Sequence, residues 1–333
     1  MLTYLIIIVA LALLFDFING FHDTANAIAT SISTRALSPK VAIAMAAILN
    51  FVGAMVSSKV AKTVGGSIAN PAQIENGVQV VIAALLAAII WNLLTWYLAI
   101  PSSSSHTLLG SLAGAVIAGA GFGAVNWNGF TQIIIILILS PIIAFALGYV
   151  IMFLIKQIII LSGNTSRSKL NRMFRTLQII SAALLSYSHG GNDAQKAMGI
   201  IVFGLVAADM QTDLNVPLWV KISAALAMGL GTSIGGWKII KTVSGKIVKI
   251  EPINGFASDL TSSLVIQFST HIGKPLSTTH VISSAIIGTG SVMRFHEVQW
   301  GTVSRMLITW LITIPISIVL AYSLYFLLFR LIF

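Results

Sequence analysis

The stretch NGFHDTANA at residues 19–27 returns as HGGNDAQKA at residues 189–197, which sets Asp23 against Asp193 and Ala27 against Ala197. Three further pairs follow in the same order. SSKVAKTVGGSI from Ser57 matches GWKIIKTVSGKI from Gly236, PSSSSH from Pro101 matches PLSTTH from Pro275, and Pro141 inside one apolar run matches Pro315 inside another. Self-similarity in a fixed order is the mark of a repeated structural unit. The chain is therefore read as two copies, residues 1–160 and residues 161–333.

The solvent of these units follows from composition. Of 333 residues, 57% are hydrophobic, only 19 are Lys or Arg and nine are Asp or Glu, and the mean hydropathy is +0.95. Charged residues make up 8% of the chain, against roughly 25% in a soluble domain. A cytosolic enzyme is excluded. Residues 78–100, 130–155 and 303–329 hold no acidic residue and exceed the roughly 20 residues that a spanning helix needs. The expectation is an all-α polytopic protein, multi-pass in a cell membrane, with the lipid bilayer as its surroundings.

The net charge of +10 does not point to nucleic acid, because the basic residues sit in connectors between apolar runs, where they report orientation. There is no cysteine, hence no disulfide framework and no thiolate metal site. The opening MLTYLIIIVALALL carries no Lys or Arg, so it lacks the basic n-region of a signal peptide and is read as part of the first helix.

Each unit is expected to hold a helix broken at the Asp motif, a span, two helices joined by the Ser/Thr motif, and a long final span. If the Ser/Thr pair is a re-entrant hairpin, each unit crosses three times, and an odd number inverts the second copy. Basic residues agree. With both termini outside, the inner connectors collect Arg35, Lys40, Lys156, Arg167, Lys169, Arg172, Arg175, Lys238, Lys241, Lys246, Lys249, Arg294 and Arg305, while the outer ones hold Lys59, Lys62, Lys221 and Arg330. Inverted repeats with discontinuous helices characterise transporters whose sites lie at the repeat interface near the midplane.

The two motifs carry complementary chemistry. Ser102, Ser103, Ser104 and Ser105 before His106, and Ser277, Thr278 and Thr279 before His280, read as hydroxyl-rich helix starts. Facing each other in an inverted pair, they would offer free N–H groups, hydroxyls and positive dipole ends to an anion. Ordinary N-capping is the plainer alternative, and the duplication weighs against it.

Asp23 and Asp193 follow glycines (Gly20; Gly190 and Gly191) and precede the expected helical segments 24–33 and 194–208. They too could serve as caps, but a carboxylate at membrane depth is costly enough to mark a functional site. Asn26, Asn192 and Gln195 add neutral oxygens, so the set suits a hard cation such as sodium, with a proton on the Asp pair as the alternative. Lys196 stands where the first copy has Asn26, and either neutralises Asp193 or contacts substrate. Lys274 either attracts anions toward the second tip or reaches solvent. A hydrolase built on Ser105 and a histidine is disfavoured, since a nucleophile is needed once rather than twice and no G-x-S-x-G elbow occurs; the histidines are expected to brace the motif backbones. The glycine-rich runs from Gly110 and Ala285 are expected to serve close helix packing.

GFHDTANAIAT and SHGGNDAQKAMG, with PSSSSH and PLSTTH, resemble the paired signatures and hairpin tips of the inorganic phosphate transporter (PiT) family. The resemblance spans essentially the whole chain. It implies a symporter, not an enzyme, that moves inorganic phosphate with sodium or protons and works as a homodimer; some relatives take sulfate or metal-complexed phosphate, and an anion channel on the same scaffold is a further alternative. By position, phosphate falls to Ser103, Ser104, Ser105, Ser277, Thr278 and Thr279, with Gln195 and Lys196. Sodium falls to Asp23, Asn26, Asn192 and Asp193, with His106 and His280 in support and no other cofactor. One departure is His22, where the family often has Asn, as at Asn192.

Overall fold

A computed structural model describes residues 2–74, 76–98, 100, 102–163, 166–235 and 247–331. Most of the repeat from Gly236, Pro101 at the head of the first Ser/Thr motif, and Lys238, Lys241 and Lys246 lie outside the described residues. The chain is all-helical: α1 (Leu2–Ser33), α2 (Pro39–Val56), α3 (Lys59–Ser67), α4 (Gly77–Tyr97), α5 (Ser104–Ala120), α6 (Trp127–Leu161), α7 (Arg167–Ala207), α8 (Leu218–Ile234), α9 (Pro252–His271), α10 (Thr278–Arg294) and α11 (Trp300–Phe326).

Among the described residues, five helices, α1, α2, α4, α6 and α11, are long and apolar enough to cross a membrane. The expected runs 78–100, 130–155 and 303–329 fall on α4, α6 and α11. On α6 and α11 large apolar side chains such as Ile142, Leu154, Leu311 and Val319 stay exposed. That surface suits hydrocarbon rather than water. Pro141 and Pro315 sit inside α6 and α11, which continue past them.

The helix break expected at each Asp motif does not form. α1 runs unbroken through Asp23 and α7 through Asp193, so residues 24–33 and 194–208 continue the preceding helices. The glycines serve proximity instead of a turn. A Cβ on Gly20 would lie 2.5 Å from the Met228 carbonyl of α8, and one on Gly190 would lie 2.2 Å from the Asn50 carbonyl of α2. Only glycine admits such approach. Neither Asp can then be an N-cap, because no helix starts there.

Packing partners exchange between the halves: α1 lies on α8 as α7 lies on α2, and α5 lies on α11 as α10 lies on α6. The glycine-rich runs sit at those last two seams, as expected. A Cβ on Gly114 would come 2.2 Å from the Ile318 carbonyl, and one on Gly288 would come 2.3 Å from that of Phe145. α1 and α7 pass in opposite directions, since Ile8 meets Gly204 while Thr24 and His189 share Asn50.

Candidate functional site

Where α1 crosses α7, the starts of α5 and α10 meet. Ser103 and Ser277 are the N-caps of these helices, their hydroxyls accepting from the His106 and His280 amides at 3.1 and 3.3 Å. The capping alternative thus holds for these two, and Ser102 donates back to Thr95 of α4 at 2.9 Å. The next hydroxyls do something else. Ser104 donates to Asp23 Oδ2 at 2.5 Å, and its counterpart Thr278 donates to Asp193 Oδ2 at 2.9 Å.

The following pair is equally matched. Asn26 donates to Thr279 at 3.1 Å, and Lys196, at the corresponding place on α7, donates to Ser105 at 2.5 Å. Lys196 also forms an ion pair with Asp193. Ser105 donates a hydrogen bond to the Leu276 carbonyl of the other tip at 2.8 Å, and Thr279 donates to Asp23 Oδ1 at 3.2 Å. Each of these residues is at most 1% exposed. The result is a pseudo-twofold cluster of two carboxylates, four hydroxyls, an amide and an ammonium.

The remaining motif residues surround this cluster. His22 Nδ1 donates to Asp23 Oδ1 at 2.6 Å, occupying the place of Asn192, which donates to Thr270 at 2.9 Å. The side-chain carbonyl oxygens of Asn26 and Asn192 are buried with no hydrogen-bond partner. Such orphaned acceptors are what a hard cation coordinates. His106 shares a 2.8 Å hydrogen bond with Ser103, and its ring lies 4.4 Å from that of His280, which stacks on Trp310 at 3.8 Å.

Gln195 lies apart from the tips. Its oxygen accepts from the Val60 and Ala61 amides at 2.8 and 3.2 Å, and its amide donates to the Gly191 carbonyl at 2.5 Å. It caps α3, leaving neither phosphate nor cation an open oxygen. Lys274 is half-buried in the turn before the second tip, where Ser269 donates to its carbonyl at 2.8 Å.

Sequence reasoning missed further buried polar groups around the cluster. Asn50 of α2 bridges Thr24 and Thr232 at 3.0 Å each and accepts from His189 at 3.1 Å. Asp259 of α9 accepts from Thr30 at 2.7 Å. Asp16, two turns before Asp23, is fully buried. The signal for Asp16 was present, as an acid inside an apolar run, and is the same one that singled out Asp23; Asp259, set among Ser258, Thr261, Ser262 and Ser263, carried no such signal.

Residues 19–321 match the family model described as the phosphate transporter family. The chain belongs to this family. It is 58% identical over 98% of its length to a probable low-affinity inorganic phosphate transporter of Bacillus subtilis (strain 168), covering 97% of that protein. It is 40% identical over 96% of its length to one of Rhizobium meliloti (strain 1021), covering 95% of it. Among solved structures, one titled the sodium-dependent phosphate transporter superposes with a TM-score of 0.88 at 24% identity, covering 99% of this chain and all of that one. This phosphate transporter family member is a multi-pass membrane protein and not an enzyme.

Proposed function

We propose that the protein is a sodium-coupled phosphate symporter that works by alternating access around the cluster between the two helix tips. The observation that carries this reading is the pairing of each tip hydroxyl with a carboxylate. In this arrangement the Ser104 and Thr278 protons belong to Asp23 and Asp193. A phosphate entering between the tips takes those donors together with Ser105, Thr279 and Lys196. The carboxylate oxygens, and the open oxygens of Asn26 and Asn192, then turn to cations. Anion and cation each create the other's site, which is the coupling a symporter needs.

Charge points the same way. Among the described residues, the buried carboxylates are Asp16, Asp23, Asp193 and Asp259, and Lys196 is the buried ammonium. In the cluster itself Asp23 and Asp193 outnumber the one ammonium of Lys196, and bringing phosphate in beside them without cations would be prohibitive. Sodium fits the oxygen set better than a proton does, since a proton on Asp leaves the two amide oxygens with nothing to coordinate.

Alternating access requires two related halves. The exchanged packing partners and the opposed courses of α1 and α7 support reading residues 1–160 and 161–333 as inverted copies, and the placing of both termini outside rests on the basic residues of the connectors. Pairing of two chains as a homodimer completes the reading and rests on the family resemblance. Counterflow in proteoliposomes tests the carrier mechanism: preloaded phosphate accelerates entry of labelled phosphate, while an equal load of sulfate does not. Conductance without counterflow would make it a channel, and equal acceleration by sulfate would change the substrate.

A further inference from the structure

Two turns from the central cluster, on the N-terminal side of α1, lies a set of groups that the transport reading leaves unused. Asp16 is fully buried, and neither of its carboxylate oxygens has a hydrogen-bond partner. Asn19, three residues on and so on the same helix face, is also fully buried with both amide atoms unbonded. Asn92 of α4 is in the same state, one turn before the Thr95 hydroxyl that lies 3.4 Å from His22.

A carboxyl group in this setting is either protonated or held by a cation. Asp193 and Lys196 are within Coulombic reach of Asp16, but the ammonium is already held by Asp193 and Ser105. Asp23 cannot share its cation, because seven residues of helix separate the two by about 10 Å. Without a counterion a buried carboxyl keeps its proton and leaves its own acceptor oxygen and that of the neighbouring amide unbonded, whereas a cation that displaces the proton satisfies them together. The ligands are carboxylate and amide oxygens, so the preference is for a hard cation. One carboxylate matches a single positive charge.

We infer that Asp16, with the side-chain oxygen of Asn19, forms a sodium site separate from Asp23 and Asp193 on the N-terminal side of the helix tips. The inference rests on the sodium-coupled reading above and adds one ion to what the empty carrier holds. Its position along α1 makes it a place where a cation waits before or after the central cluster.

Saturable binding of labelled sodium to the purified full-length protein, measured without phosphate, tests it. Asp16→Asn is expected to bind one sodium fewer than the parent protein, and Asn19→Ala to keep the number while losing about fivefold in affinity. Should Asp16→Asn fail to fold, Asn19→Ala and Asp16→Glu, which keep the charge, decide the matter by the same affinity shift. An unchanged number and affinity in Asp16→Asn, or unchanged affinity in both charge-keeping variants, overturns the Asp16 site and leaves sodium coupling standing. Absence of saturable sodium binding in the parent protein overturns both.

Discussion

Lys196 donates to Ser105 at 2.5 Å, so the charged end of a residue on α7 holds the tip of a helix from the other half of the chain. Asn26 does the same to Thr279 with a neutral amide. The two halves therefore agree in geometry and differ in charge at this one pair. The asymmetry gives an anion a preferred side, with the ammonium as its strongest donor.

Replacing Lys196 by Asn makes the pair symmetric and removes that donor. Phosphate affinity is expected to fall by about 1.5–3 kcal/mol, the range for a hydrogen bond to a charged group. Asp193 is left without its ion-pair partner, so stability falls as well, by about 3–5 kcal/mol if nothing else neutralises it. Phosphate binding by calorimetry and thermal unfolding in detergent separate the two effects.

Removing hydroxyls should act on the anion before the cation. Ser105→Ala and Thr279→Val are each expected to weaken phosphate binding by about 0.5–3 kcal/mol, depending on whether the bond is to a charged oxygen, while sodium binding changes less. Unaltered phosphate affinity in the double variant would contradict a site between the tips.

Asp23→Asn and Asp193→Asn keep an oxygen and lose the charge. Each is expected to abolish sodium-driven uptake while the protein remains folded and monodisperse. Near-normal uptake in both would mean that the carboxylates only hold Ser104 and Thr278 in place.

Gly190→Ala tests the close approach of α7 and α2. The added carbon would sit 2.2 Å from the Asn50 carbonyl, and the displaced helix would also disturb the His189–Asn50 hydrogen bond. Overpacking of this kind costs about 1–3 kcal/mol. A clear drop in the unfolding temperature is expected, and an unchanged one would show that the two helices can separate freely.

The membrane setting and the all-helical class were legible in the sequence because each is local: a run of apolar residues and its length. What was not legible depends on partners far away in the chain. Glycine beside Asp23 and Asp193 reads equally as a turn or as a contact, and only the α8 and α2 carbonyls decide for contact. Gln195 reads as a ligand until the start of α3, 135 residues away, takes its oxygen. Ser103 and Ser277 share one label with Ser104 and Thr278, yet helix geometry makes the first two caps and frees the others for the carboxylates.

Sidedness has a direct check, since the chain has no cysteine of its own. Ser162→Cys, exposed after α6, should react with an impermeant reagent only from inside, and Met210→Cys, exposed after α7, only from outside. Labelling of both from the same side would contradict inversion of the two halves.

The central claim is that sodium drives phosphate through the cluster between the tips. Its most direct test is uptake of labelled phosphate into proteoliposomes at equal pH on both sides with an inward sodium gradient, repeated with sodium replaced by a large organic cation. The account predicts accumulation above equilibrium in sodium and its loss in the organic cation. Undiminished accumulation without sodium, together with a response to an imposed proton gradient, would contradict it.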